Sequence, residues 1–106
     1  MKIFPCIVAL AFVSGAAVAA FAAEQTVTQK GNVFSKPEVT LKKGDTIVFV
    51  NDDTVAHNIY SATAGNDFNL GSQPPGKSVS VTFDKTGEID VMCAIHPLMK
   101  MKVKVQ

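Results

Sequence analysis

No arginine occurs in the 106 residues, and ten lysines against nine acidic side chains leave a formal net charge of +1. A chain this close to neutral offers no basic field for nucleic acid and no acidic surplus for a basic partner. No stretch holds a helical period over ten or more residues, and there is no repeat or low-complexity tract. Helical bundles and solenoids are thereby set aside. The longest apolar run, Ile7–Val18, is shorter than the ~20 residues that cross a bilayer. Cysteine and histidine are scarce, with Cys6, Cys93, His57 and His96 the complete set.

The apolar run has a different meaning. Lys2 precedes it, Ala20-Phe21-Ala22 follows as a small-x-small cleavage site, and the polar pair Glu24-Gln25 comes next. This pattern predicts a secretory signal over residues 1–22 and one small domain over 23–106, exported to the periplasm with no membrane insertion after cleavage. An uncleaved anchor is the competing reading, opposed by the shortness of the run. Cys6 lies too early for lipid attachment and leaves with the signal. Cys93 then stands alone in an oxidising compartment with no intramolecular partner. Such a thiol is either an inert small hydrophobe in the core or a metal ligand. A domain this short has a marginal core, so a bound metal would add stability as well as function.

The remaining pattern is that of an all-β protein. Gln25–Thr28, a segment with Val39 and Leu41, Thr46–Val50, an extended piece over Val55–Ser61, Ser78–Phe83 and a strand ending at Cys93 are separated by turn formers such as Gly31-Asn32, Lys43-Gly44-Asp45 and Asn51–Thr54. Residues 62–76 form a long connection with Phe68 and Leu70 as core anchors. Ile89, Val91 and Cys93 share one parity, so burying the first two also turns the thiol inward. At the C-terminus Met101, Val103 and Val105 alternate with Lys100, Lys102 and Lys104, a half-buried strand with a lysine-lined outer face.

Between those two strands lies Cys93-Ala94-Ile95-His96-Pro97-Leu98-Met99. Thiolate and thioether are soft donors and imidazole suits copper, so a cysteine, two histidines and a methionine make a mononuclear copper set. Zinc would take the first three but accepts a thioether poorly. His57 is the other available imidazole. Met101 has the parity of a core residue, whereas Met99, in the loop after Pro97, has less structural reason to be methionine. Met99 is therefore the favoured axial ligand, with Met101 as the alternative.

Gly44-Asp45-Thr46, Val55-Ala56-His57-Asn58 and Cys93-x-x-His96-Pro97-x-Met99 resemble the cupredoxins, the type 1 blue copper family of plastocyanin, pseudoazurin and amicyanin. The likeness runs from about Val39 to the end, and the Cys-x2-His-x2-Met spacing is most similar to amicyanin. It implies a Greek-key β-sandwich of about seven or eight strands, one copper per chain cycling between Cu(I) and Cu(II), and ligands His57, Cys93, His96 and Met99. It also implies that Asn58 ties the two ligand loops together through side-chain hydrogen bonds. One departure stands out: plastocyanin and amicyanin have proline just before the second histidine, where this chain has Ile95. An isoleucine N–H near the Cys93 sulfur would favour reduced metal, so Ile95→Pro is expected to lower the reduction potential.

The function implied is a non-enzymatic, monomeric one-electron carrier. Redox proteins would dock transiently on an apolar patch of Ile95, Pro97 and Leu98 around His96. The same site used for copper tolerance or delivery is the alternative, disfavoured by the absence of Met- or His-rich tracts. A thiol enzyme built on Cys93 would need an orienting group and an oxyanion site, and the sequence shows neither.

Overall fold

The computed structural model describes residues 22–106; apart from its last residue, the expected signal over 1–22 lies outside the described residues. Nine strands follow in order: β1 (Glu24–Lys30), β2 (Val33–Phe34), β3 (Glu38–Leu41), β4 (Thr46–Asn51), β5 (Ile59–Ser61), β6 (Phe68–Asn69), β7 (Ser78–Thr82), β8 (Gly87–Cys93) and β9 (Lys100–Val105). They form two sheets, ordered β2-β1-β4-β7 and β3-β9-β8-β5-β6, which make an all-β sandwich with no helix among the described residues. The count exceeds the seven or eight expected because β2 and β6 are two-residue strands, too short to leave a periodic signal. β2 exists because Gly31 and Asn32 both take positive φ, 60° and 57°, the backbone of a tight two-residue hairpin.

Alternation places the core. Val27, Ile47, Phe49, Ile59, Ile89, Val91 and Val103 are all fully excluded from solvent, and each contributes about 1.5–3 kcal/mol by burial. β4 sits between β1, which runs parallel to it, and antiparallel β7, so its inward residues Ile47 and Phe49 are flanked on both sides. In the other sheet β9 lies between β3 and β8. Met101, Val103 and Val105 are buried there, while Lys102 and Lys104 pair with Glu88 at 3.2 Å and Glu38 at 3.1 Å on the outer face. Exposed pairs of this kind add about 0–1 kcal/mol, so they mark the solvent face rather than hold the fold.

The turn before β4 is closed by one carboxylate. Asp45 Oδ1 accepts the Ala23 N–H and Oδ2 accepts the Lys42 N–H, both at 2.9 Å. Asp45 thus fixes the start of β1 against the start of β4, whose far ends lead to the site.

Candidate metal centre

Strand register brings the two separated histidines to the thiol. β5 pairs antiparallel with β8, with Ile59 opposite Cys93. His57 has the parity of Ile59, so its side chain falls on the same inner face as Cys93. His57 is also fixed through its main chain, donating to Gln73 O at 3.0 Å and accepting from Gln73 N–H at 2.7 Å. His96 arrives from the other direction, in the loop that joins β8 to β9.

The three donor atoms His57 Nδ1, Cys93 Sγ and His96 Nδ1 form a compact triangle. The two nitrogens are 3.2 Å apart, and the sulfur lies 3.7 Å from His57 Nδ1 and 3.6 Å from His96 Nδ1. Bonds of about 2.0–2.3 Å meeting at about 100–120° would separate ligand atoms by about 3.1–3.8 Å, so the triangle has the dimensions of a metal centre. Among the described residues this is the one group of three or more His, Cys, Asp or Glu side chains so arranged. His57 and Cys93 are buried, whereas His96 is half-buried.

The β8–β9 connection also positions a methionine. Cys93 N–H donates to Met99 O at 3.1 Å, and Met99 N–H donates to His96 O at 2.9 Å. With Met92 opposite Lys100, the ladder continues to set Met99 across from Cys93. Met99 is buried at 2% exposure and lines a groove with His96. Met101 instead pairs with Val91, two residues further down the ladder, and lines a groove with Pro37, Asp90 and Met92.

Two expectations of the sequence need correction. Asn58 does bridge the ligand segments, but through its main chain: its N–H points at Cys93 Sγ at 3.4 Å and its carbonyl accepts the Ala94 N–H at 2.8 Å. The Asn58 Oδ1 is buried without a hydrogen-bond partner, and Ala94 carries no side-chain donor to supply one. The N–H found at the sulfur is therefore that of Asn58 and not that of Ile95, which removes the basis for a lower potential in Ile95→Pro. Ile95 turns outward at 52% exposure, beside Leu98 at 93%, and Pro97 is exposed as well.

Sequence reasoning missed Asp53, reading it only as a turn former. Its Oδ2 lies 2.9 Å from His57 Nε2. The Asn32 N–H, the His57 side chain and the Thr54 N–H together pull the Asp53 carboxyl down to about 2, so it is ionised throughout the neutral range. The signal was the spacing, since an acid four residues before the histidine can fold back onto its ring.

A family model for copper-binding proteins of the plastocyanin/azurin family matches residues 21–106. Methylamine utilization protein MauL from Methylorubrum extorquens is 34% identical over 100 residues, covering 92% of this chain and 88% of that protein. Amicyanin from Paracoccus versutus is 34% identical over 73 residues, covering 66% of this chain and 55% of that protein, so the match spans little more than half of its length. Among solved structures, a reduced Cu(I) form of an amicyanin variant superposes with a TM-score of 0.72 at 27% identity, over 85% of this chain and 88% of that one.

Proposed function

The chain belongs to the plastocyanin/azurin family of copper-binding proteins, and from that membership we propose that it is an exported, periplasmic one-electron carrier between redox proteins, with copper held by His57, Cys93, His96 and Met99. The observation that carries this reading is the asymmetry of the donor set. Three donors of the right softness meet at one buried point, and the imidazole of His96 alone extends toward solvent. Bound copper supplies the one-electron chemistry by passing between Cu(I) and Cu(II).

The protein residues do the rest. Cys93 ends strand β8, the His57–Gln73 bridge braces His57, and hydrogen bonds from Cys93 N–H to Met99 O and from Met99 N–H to His96 O tie the loop down, so little has to move when charge changes. The Asn58 N–H offers the thiolate a hydrogen bond that withdraws charge from it. Burial of Cys93 and Met99 excludes water from the centre, and His96 provides the edge through which an electron enters and leaves.

The test is a visible and EPR spectrum of the purified protein with Cu(II). Intense thiolate-to-copper absorption is expected. Met99→Ala is expected to shift that spectrum; Met101→Ala is expected to leave it unchanged while costing about 2–5 kcal/mol of stability as a core truncation. A spectrum altered only by Met101→Ala would reassign the methionine ligand, and no absorption at all would end the copper reading of these residues.

Ile95, Pro97 and Leu98 surround His96 with exposed apolar surface suited to brief contacts with a redox protein. Leu98 is so exposed that Leu98→Asp is expected to change folding stability by under ~0.5 kcal/mol. Electron self-exchange between copies, measured by NMR line broadening, is expected to slow at least about tenfold, because a charge pair at the contact must be desolvated in each encounter. An unchanged exchange rate would place the contact elsewhere.

A further inference from the structure

Reading His57 Nδ1 as a ligand leaves its other nitrogen to be explained. Nε2 is 2.9 Å from Asp53 Oδ2, and the two side chains are 0% and 10% exposed. Asp53 is held from three further directions. Oδ2 also accepts the Asn32 N–H at 3.1 Å, Oδ1 accepts the Thr54 N–H at 2.9 Å, and the Asp53 N–H donates to Asn51 Oδ1 at 3.0 Å. A carboxylate only accepts hydrogen bonds, so Nε2 carries the proton of this contact, and a ring with a single proton then keeps its lone pair on Nδ1. Nδ1 is the atom that faces Cys93 and His96.

We propose that Asp53 is a positioning residue of the metal centre: one carboxylate oxygen, anchored by the Gly31–Asn32 turn, holds His57 in the tautomer that ligates through Nδ1. The proposal rests on the ligand set given above. It makes the β1–β2 turn part of the site through Asp53. The left-handed backbone of Asn32 aims its N–H inward at Oδ2. Asn32 also borders the groove of Ile95, His96, Pro97 and Leu98, so a partner seated on His96 also contacts the residue that anchors Asp53. The negative charge behind His57 strengthens the ring as a donor and favours the more highly charged metal state.

Two measurements decide it. In the metal-free protein, long-range 15N NMR is expected to show His57 protonated at Nε2, and Asp53→Ala is expected to lose that preference. In the copper-loaded protein, Asp53→Asn keeps the side-chain shape but removes the charge. It is expected to weaken Cu(II) relative to Cu(I) by at least about tenfold, a rise in reduction potential of about 59 mV for one electron. Asp52→Asn removes the same charge from an exposed neighbour that is not the carboxylate paired with His57 and is expected to shift the potential by less than half as much. Equal shifts in the two Asn variants, or a wild-type tautomer in Asp53→Ala, would overturn the proposal. Loss of the copper spectrum in every form would instead overturn the ligand assignment, and the metal-free NMR result would still decide what Asp53 does to His57.

Discussion

Cys93→Ser is expected to abolish the intense visible absorption of the Cu(II)-loaded protein and most of the stability that copper confers. The thiol is 2% exposed and lies 3.6–3.7 Å from both imidazole nitrogens, so no other side chain can take its place in the triangle. A serine hydroxyl has nearly the same shape but is a hard donor that stays protonated, and the charge-transfer band needs a thiolate. The Asn58 N–H at 3.4 Å is available to a hydroxyl oxygen as it is to sulfur, so the metal-free variant should fold. At a free copper concentration 100-fold above Kd, binding adds about 2.7 kcal/mol to the folded state. For a domain of this size each kcal/mol moves Tm by about 4–8 °C, so copper should raise Tm by about 10–20 °C in the wild type. The serine variant should gain no more than a few degrees. Thermal scans with and without copper test this, and an equal rise in both proteins would show that copper is bound somewhere other than Cys93.

How much of this was legible in the sequence depended on whether a residue's role was local. Parity alone placed Cys93 inward beside Ile89 and Val91, and the lysine alternation of β9 gave its buried and exposed faces. Spacing set His96 and Met99 close to Cys93. His57 was found by elimination, as the other histidine, and its route to the site depends on β5–β8 pairing, which no window of sequence displays. What stayed hidden was contact at a distance along the chain. Asp53 looked like any acid in a turn: its spacing to His57 was there to read, but the amide that anchors it lies in a hairpin 21 residues back. Asn58 was given the wrong atoms, since the family likeness spoke for its side chain and Ala94 leaves that side chain without a donor. Gln29 and Gln73 are fully buried although glutamine reads as a surface residue, and nothing in the fold accounts for the unpartnered oxygen of Gln29 or for either amide atom of Gln73.

Phe49→Ala is expected to cost about 3–5 kcal/mol and to make folding depend on copper. Phe49 is fully buried on β4, with Val27 beside it on β1 and Val79 on β7. Its ring meets Phe34 at 6.5 Å and Phe68 at 6.2 Å, and Phe68 in turn packs edge-on to Phe83 at 5.9 Å. Truncation removes the burial of one large ring and leaves a cavity that two sheets fixed by backbone ladders cannot collapse. It also removes two aromatic contacts of about 0.5–1.5 kcal/mol each, which places the loss at the upper end of the range. A single domain is stable by about 5–15 kcal/mol, and one this short belongs near the bottom of that span. The metal-free variant should therefore be partly unfolded at 25 °C. Phe49 is in the sheet opposite the one carrying β8 and β9, so the ligand triangle should survive wherever the variant is folded. Saturating copper should then return about 2.7 kcal/mol and restore a cooperative transition. Urea denaturation of wild type and Phe49→Ala, each with and without copper, separates the two effects. A loss under ~1 kcal/mol would mean that Phe49 is not central to the packing between the sheets, and a variant that stays unfolded in copper would mean that metal and core are not additive.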